Sequence, residues 1–186
     1  MKYITLKKMD RIRLFIDELS KEESTPILTN VYSSVMPQSE ICRENLYNYL
    51  HRIMNNNSKV MLIGEAPGYH GCRLSGIAFT SEDKFTENII PEIMGKDLGY
   101  KIYSKGEPER EFSASTVWTK LKDWYNAHGS VPLLWNICPF HPHKEGDNES
   151  NRTPRKKEIE RGIKYFLELV EIFDIQHIGC IGRKSF

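Results

Sequence analysis

Three short apolar runs, each ending in a polar or glycine-bearing loop, alternate with amphipathic stretches of helical period. That alternation predicts an α/β fold built on a parallel sheet, because parallel strands need helical crossovers between them. The runs are residues 60–63, 131–135 and 175–181. The first two end in Gly64-Glu65-Ala66-Pro67-Gly68 and in Asn136, and ligands of open α/β sheets bind outside the carboxyl ends of strands. Two such endings predict one shared site.

Taken in order, Ile12, Phe15, Ile16 and Leu19 recur at helical spacing, and Pro26 closes that first helix. After Pro37, Ser39 is placed to cap a second helix whose Ile41, Leu46, Leu50 and Ile53 run toward a turn at 55–58. The first core strand follows at once. Residues 70–84 are glycine-rich and mixed, as a ligand-contacting loop would be, and 85–94 read as a short helix. Residues 95–112 read as an exposed loop. Val117, Leu121, Trp124 and Tyr125 share one helix face, with Ser113 or Ser115 as cap and Gly129 as stop. After the second strand, Thr153 as N-cap and Pro154 at the first helical position open a helix carrying Ile159, Ile163, Phe166, Leu167 and Val170. Gly182 ends the third strand, and the sequence stops at Phe186. An α/β unit normally sends a helix back across the sheet after such a strand, so the expectation is a sheet lacking its last strand.

The bulk properties fit one domain over residues 1–186, with 1–58 as a helical N-terminal part and the C-terminal side incomplete. Of 186 residues, 39% are hydrophobic and 27% charged, enough for an ordinary core. Twenty-six basic residues against twenty-five acidic ones leave a charge of +1, which is no global footprint for nucleic acid. Local charge must carry any such contact. Arg152, Arg155, Lys156 and Lys157 cluster at a helix start, either as a solvated face or as a phosphate contact. Cys42, Cys72, Cys138 and Cys180 are too widely spaced for a disulfide framework, which points to a reducing cytoplasm. No apolar run has the length of a signal peptide or a membrane span.

Glu65 is the first residue to explain. A carboxylate on a rigid loop beside backbone amides orients a water, acts as a base or stabilises a cationic transition state; alternatively it caps its own turn. Asn136 offers one acceptor and two donors on a planar amide, suited to the edge of a nucleobase or to local capping. Phe79 is either a stacking platform or core. Cys138, His141 and His143, with Cys72 or His70, have the chemistry of a zinc site, against which stands the simpler expectation of solvent-facing histidines and no metal.

Together these residues resemble the uracil-DNA glycosylase superfamily. The resemblance is carried by Gly64-Glu65-Ala66-Pro67-Gly68 after an apolar strand, Phe79 eleven positions past Gly68, Asn136 at the next strand end, and Asn151-Arg152-Thr153-Pro154. It runs from about Lys59 to Lys184, and the first motif looks most like the family 4 branch. It implies a three-layer α/β/α sandwich on a short, four-stranded parallel sheet and a deaminated base flipped out of DNA, in base excision repair. It also implies roles: Glu65 positions water and stabilises the oxocarbenium-like sugar, with Ala66 and Gly68 beside it in the uracil pocket. Phe79 stacks on uracil, and Asn136 accepts from N3–H and donates to O4. Arg152 would face a DNA phosphate at a helix start.

The departures carry expectations of their own. Family 4 proteins typically hold an iron-sulfur cluster through four cysteines, two of them closely spaced; this chain has no Cys-x-x-Cys, so no cluster and no other cofactor is expected. The superfamily's second motif, a His-Pro-Ser or similar loop, supplies a histidine to the departing uracil anion, and nothing after Phe186 supplies one. Losing such a donor typically costs about 10²- to 10³-fold in rate. Two functions therefore stand: a monomeric cytoplasmic glycosylase acting on uracil-containing DNA away from membranes, or an impaired homologue that only binds DNA or base.

Overall fold

The computed structural model describes residues 2–36 and 38–182. Pro37, expected before the second helix, and residues 183–186, on which the expectation about a missing strand turns, lie outside the described residues.

The predicted α/β class is what the chain adopts. In order, the elements are α1 (Lys2–Ser20), β1 (Leu28–Thr29), α2 (Ser39–Asn56), β2 (Val60–Gly64), α3 (Cys72–Ser75), a 3₁₀ turn (Glu82–Phe85), β3 (Asn88–Ile90), β4 (Met94–Gly95), α4 (Phe112–His128), β5 (Leu133–Asn136), β6 (His141–Pro142), α5 (Lys156–Phe173) and β7 (His177–Cys180). The central sheet has the order β5-β2-β7, all parallel, with Gly64 opposite Asn136 and Ile63 opposite both Trp135 and Cys180. β2 sits in the middle, so its continuous apolar sequence is explained by cover on both faces. Two small antiparallel ladders, β1 with β6 and β3 with β4, fasten loops outside this sheet.

Aromatic rings join the helices to the sheet. Phe15 of α1 meets Trp135 of β5 at 5.6 Å between ring centroids and Tyr165 of α5 at 5.8 Å, both edge to face. α2 seals the outer edge of β5: the Leu134 N–H donates to Tyr49 Oη at 2.8 Å, and Asn56 Nδ2 donates to the Val131 carbonyl. At the opposite edge no strand among the described residues pairs with β7, and its Ile178 is half exposed.

Several expected boundaries move. Residues 85–94 are not a helix. They leave the 3₁₀ turn and form the β3–β4 hairpin, because Ile90 and Met94 are buried together against the core rather than along one helical face. Ser39 is the first residue of α2 and does not cap it, since Gln38 takes that place without a side-chain bond. Ser113 and Ser115 lie inside the first turn of α4, which starts at Phe112; Gly129 ends it, as expected, with φ of 68°. α5 starts after Arg155 rather than at Pro154, because the Glu158 carboxylate accepts from the Arg155 N–H at 2.7 Å and sets the first turn there. The stretch 95–112 is largely exposed but pinned. Buried Glu82 accepts from the backbone of Tyr103 and Ser104, and Asn45 exchanges two bonds with Lys101.

α1 and α5 are also joined through Glu22, which accepts from Arg161 at 2.8 Å and Tyr165 at 2.9 Å and pairs with Lys164. Burial alone would raise its pKa, but these partners win and hold it at about 2. An acid that titrates lower in the folded state adds stability above the ordinary value of 4.5, and that stability is lost as pH falls toward 2. Glu22→Gln should therefore flatten the acid limb of a melting-temperature profile below about pH 4.5 and cost on the order of 2 kcal/mol at neutral pH. An unchanged profile would show that the pairing adds nothing.

Candidate active site at the carboxyl ends of the sheet

The loops after β2 and β5 are tied to each other as they leave the sheet. The Ile137 N–H donates to the Gly64 carbonyl at 2.9 Å and the Cys138 N–H to the Glu65 carbonyl at 3.0 Å. The parallel register thus continues past the strands and holds Glu65 and Asn136 side by side. A cavity of about 590 Å³ opens there, and all three strand ends reach it: Glu65, Ala66 and Gly68 from β2, Asn136 from β5, Ile181 and Gly182 after β7. Phe79, Cys72 and Glu111 complete its walls, with Asn151 and Arg152 at one side. All six residues singled out from the sequence line this one space.

Gly64 explains why Asn136 and Phe79 meet. A Cβ there would lie 2.4 Å from Asn136 Oδ1 and 2.5 Å from Phe79 Cζ. The missing side chain is the space in which the amide and the ring converge. Phe79 itself has φ of 54°, a left-handed conformation uncommon outside glycine. Strain of this kind, of order 1–3 kcal/mol, persists only where the surroundings fix it. Here buried Thr80 does so. Its carbonyl accepts from Ser75 Oγ at 2.6 Å, and its hydroxyl accepts from Trp118 Nε1 of α4 at 3.0 Å. The ring position is therefore set by the core.

Asn136 is 5% exposed, and its Nδ2 reaches Cys72 Sγ at 3.8 Å, a weak partner that orients the amide without saturating it. Burial pushes the Cys72 thiol up, with the field of Cys42 adding to it, so sulfur stays protonated under the cavity. Burial likewise pushes Cys42 and Cys138 to about 12, while Cys180 stands exposed on β7. These four thiols do not fit an iron-sulfur cluster. Cys42 faces the carbonyls of Arg73 and Leu74, Cys138 donates to the Phe140 carbonyl, and among the described residues no three metal-binding side chains converge.

Two expectations need correction. His141 and His143 are not solvent-facing; they are stacked at 5.4 Å and buried. The His141 ring nitrogens meet the Pro67 carbonyl at 2.8 Å and the Asn148 carbonyl at 3.1 Å, so the ring braces the loop that carries Glu65. Burial is the largest influence on it and lowers its pKa. Arg152 lines the cavity, but all five of its N–H donors are taken: two by Glu158, at 2.6 and 2.7 Å, and three by the carbonyls of Ile27, His143 and Thr153. A phosphate would have to displace one of them, so Arg152 is a clamp joining the β6 loop to α5. The Asn151-Arg152-Thr153 segment keeps its place through that clamp and through Asn151 Oδ1, which accepts from the Tyr69 N–H at 3.0 Å.

The sequence reading missed Glu111, and it weighed Cys72 as a zinc ligand rather than as a wall of this cavity. Glu111 precedes α4 and wedges against the β2 loop, where a Cβ on Gly71 would overlap its Oε2 at 1.8 Å and one on Gly68 would meet Oε1 at 3.1 Å. The only available signal was the unexplained pair of glycines.

A parallel sheet whose strand ends surround one cavity with a carboxylate, an aromatic ring and a planar amide places the chain among α/β proteins with a crevice at the carboxyl ends of their strands. A sequence model of the uracil DNA glycosylase superfamily matches residues 51–186, well over half of the chain. The chain belongs to that superfamily. Among curated proteins no match was found. Among the described residues no helix is long and apolar enough to cross a membrane.

Proposed function

We propose that this protein hydrolyses the N-glycosidic bond of a deaminated base, uracil foremost, flipped out of DNA, and that its nearest branch is family 4. The observation that carries the reading is the convergence of Glu65, Phe79 and Asn136 on one cavity at the carboxyl ends of the sheet. In this scheme Phe79 stacks on the base. Asn136 Oδ1 accepts from N3–H and Nδ2 donates to O4, exchanging the weak thiol contact for a carbonyl. Cytosine presents the opposite polarity on that edge and would leave both amide groups unpaired inside the protein, which is where discrimination is strongest. The Glu65 carboxylate faces the sugar, orients the attacking water and stabilises the positive charge that develops as the bond breaks. Ala66 and Gly68 bring backbone close to the base without side-chain bulk. The protein works as a single-domain cytoplasmic monomer in base excision repair.

A second reading, binding of base or DNA without cleavage, is favoured by one observation: among the described residues no histidine lines the cavity to serve the departing anion. The test is single-turnover release of base from labelled oligonucleotides carrying uracil, hypoxanthine, thymine or cytosine at one position, single- and double-stranded. Release from the uracil strand alone, or from uracil and hypoxanthine, supports the glycosylase. Retention of uracil-containing DNA without release supports the binding homologue, and neither binding nor release rejects both.

A further inference from the structure

A second, smaller cavity at the start of α2 shares no lining residue with the site above. We propose that it binds one phosphate group, free or at the end of a nucleic-acid strand, through Ser39, Arg73 and the α2 N-terminus. The inference stands apart from the reading of the larger cavity. Its volume is about 90 Å³, room for about three waters at ~30 Å³ each, which suits a single tetrahedral oxyanion and is too little for a nucleotide.

The walls supply donors and positive charge. Ser39 is the first residue of α2 and 2% exposed, and its hydroxyl faces the cavity with no hydrogen-bond partner among the described residues. A hydroxyl left open in this way has lost the bond it made in water, and an acceptor arriving there restores it. Around it lies the N-terminus of an 18-residue helix, whose first amides lack intrahelical partners and carry the positive end of the helix dipole. The Ser39 amide is spent on the Met36 carbonyl at 3.0 Å, and the N-cap Gln38 makes no side-chain bond to the others. Glu40, the acid of the first turn, is exposed and outside the lining.

Arg73 enters from α3. Its Nε donates to the Tyr69 carbonyl at 3.0 Å, and among the described residues its two terminal nitrogens make no hydrogen bond and no ion pair. It is the converse of Arg152, whose donors are all taken. Cys42 turns its thiol to the carbonyls of Arg73 and Leu74 and so ties α2 to α3 behind the site. Among the described residues no carboxylate lines the cavity. Glu82 reaches Cys42 through its field, but Arg73 and Arg43 oppose it, and its carboxylate is engaged by Tyr103 and Ser104. An open guanidinium, an open hydroxyl and a helix N-terminus without a facing acid select an anion. Donors arriving from separate elements suit the several oxygens of phosphate better than the two of a carboxylate.

The experiment titrates inorganic phosphate into the ¹⁵N-labelled chain at constant ionic strength, with chloride as the balancing anion, and follows the amide signals. Saturable shifts should concentrate on the Glu40 and Ile41 amides and on the Arg73 Nε–H. Arg73→Gln and Ser39→Ala should each weaken phosphate about tenfold or more, since each removes a charge-assisted bond. Ser39→Ala gives up no side-chain bond within the protein, so its melting temperature in phosphate-free buffer should match wild type, which separates a lost ligand from a lost fold. Lys157→Gln, at the basic start of α5, should bind as wild type does. A second titration compares a 5′-phosphorylated dinucleotide with its unphosphorylated form. Shifts of the same signals by the phosphorylated form alone support a strand end in the site, and shifts by inorganic phosphate but neither dinucleotide support the free ion. Shifts that never saturate, equal shifts by the two dinucleotides, or equal affinity in wild type, Ser39→Ala and Arg73→Gln would overturn the proposal, as would no response to phosphate in any form.

Discussion

Glu65→Ala and Glu65→Gln are expected to lower single-turnover uracil release by about 10²- to 10³-fold while leaving the melting temperature within about 1 °C. The two effects separate because the fold uses the backbone of Glu65 and not its carboxylate. Its carbonyl accepts from the Cys138 N–H, and that bond survives any side-chain change. The carboxylate instead lines the cavity, and among the described residues it is in no ion pair. A second acid, Glu111, also lines the cavity, and the Arg152 charge there is paired with Glu158. Glutamine preserves shape and loses the charge, so equal losses in both variants would identify charge as the contribution. Rates within threefold of wild type, measured with enzyme in excess, would remove Glu65 from the chemistry.

The second large effect is expected from the addition of one methyl group. Gly64→Ala puts a carbon 2.4 Å from Asn136 Oδ1 and 2.5 Å from Phe79 Cζ, and neither neighbour has room to withdraw. Asn136 is paired with Gly64 across the ladder, and Phe79 is locked by its backbone and by Thr80. Overpacking of this type costs about 1–3 kcal/mol, and here it falls on the two groups proposed to hold the base. Loss of binding to DNA carrying 2′-fluoro-deoxyuridine, together with a melting temperature lowered by several degrees, is the expected outcome. Gly106→Ala is the matched control, because a Cβ there meets nothing within 4 Å. Retained binding in Gly64→Ala would mean that Asn136 and Phe79 do not act together on a ligand.

What could be read in advance followed the physics that is local in sequence. β2 and β5 showed as apolar runs because cover on both faces leaves no polar alternation, and Gly129 marked a helix end because a left-handed residue was needed there. The hairpin at 88–95 was mistaken for helix because its buried Ile90, Ile93 and Met94 have a spacing compatible with either. The start of α5 was misplaced because Thr153-Pro154 has the right local chemistry, whereas Glu158 decides the matter by bonding both Arg155 and Arg152. Arg152 reads as a free cation in the sequence, since its carbonyl partner at Ile27 is over a hundred residues away. Buried His141 was illegible for the same reason: its meaning depends on Pro67 and Asn148, which only the tertiary fold brings to it. Glu65, Phe79 and Asn136 were legible through resemblance and spacing, and Glu111 was not, because nothing near it in sequence announces a cavity wall.

The distribution of thiols has a practical consequence. One sulfur, Cys180, stands in solvent, and three are buried and held protonated. An alkylating reagent therefore meets a fast site and three slow ones, and the slow ones report how often the surrounding structure opens. Cys72 is the informative clock, because its sulfur lies under the amide of Asn136 and in the cavity lining itself. A base seated above it would slow that clock while leaving Cys180 as an internal standard in the same molecule. Occupancy of the cavity is thus readable from the protein's own sulfur, on one scale for a catalyst and for a homologue that only binds.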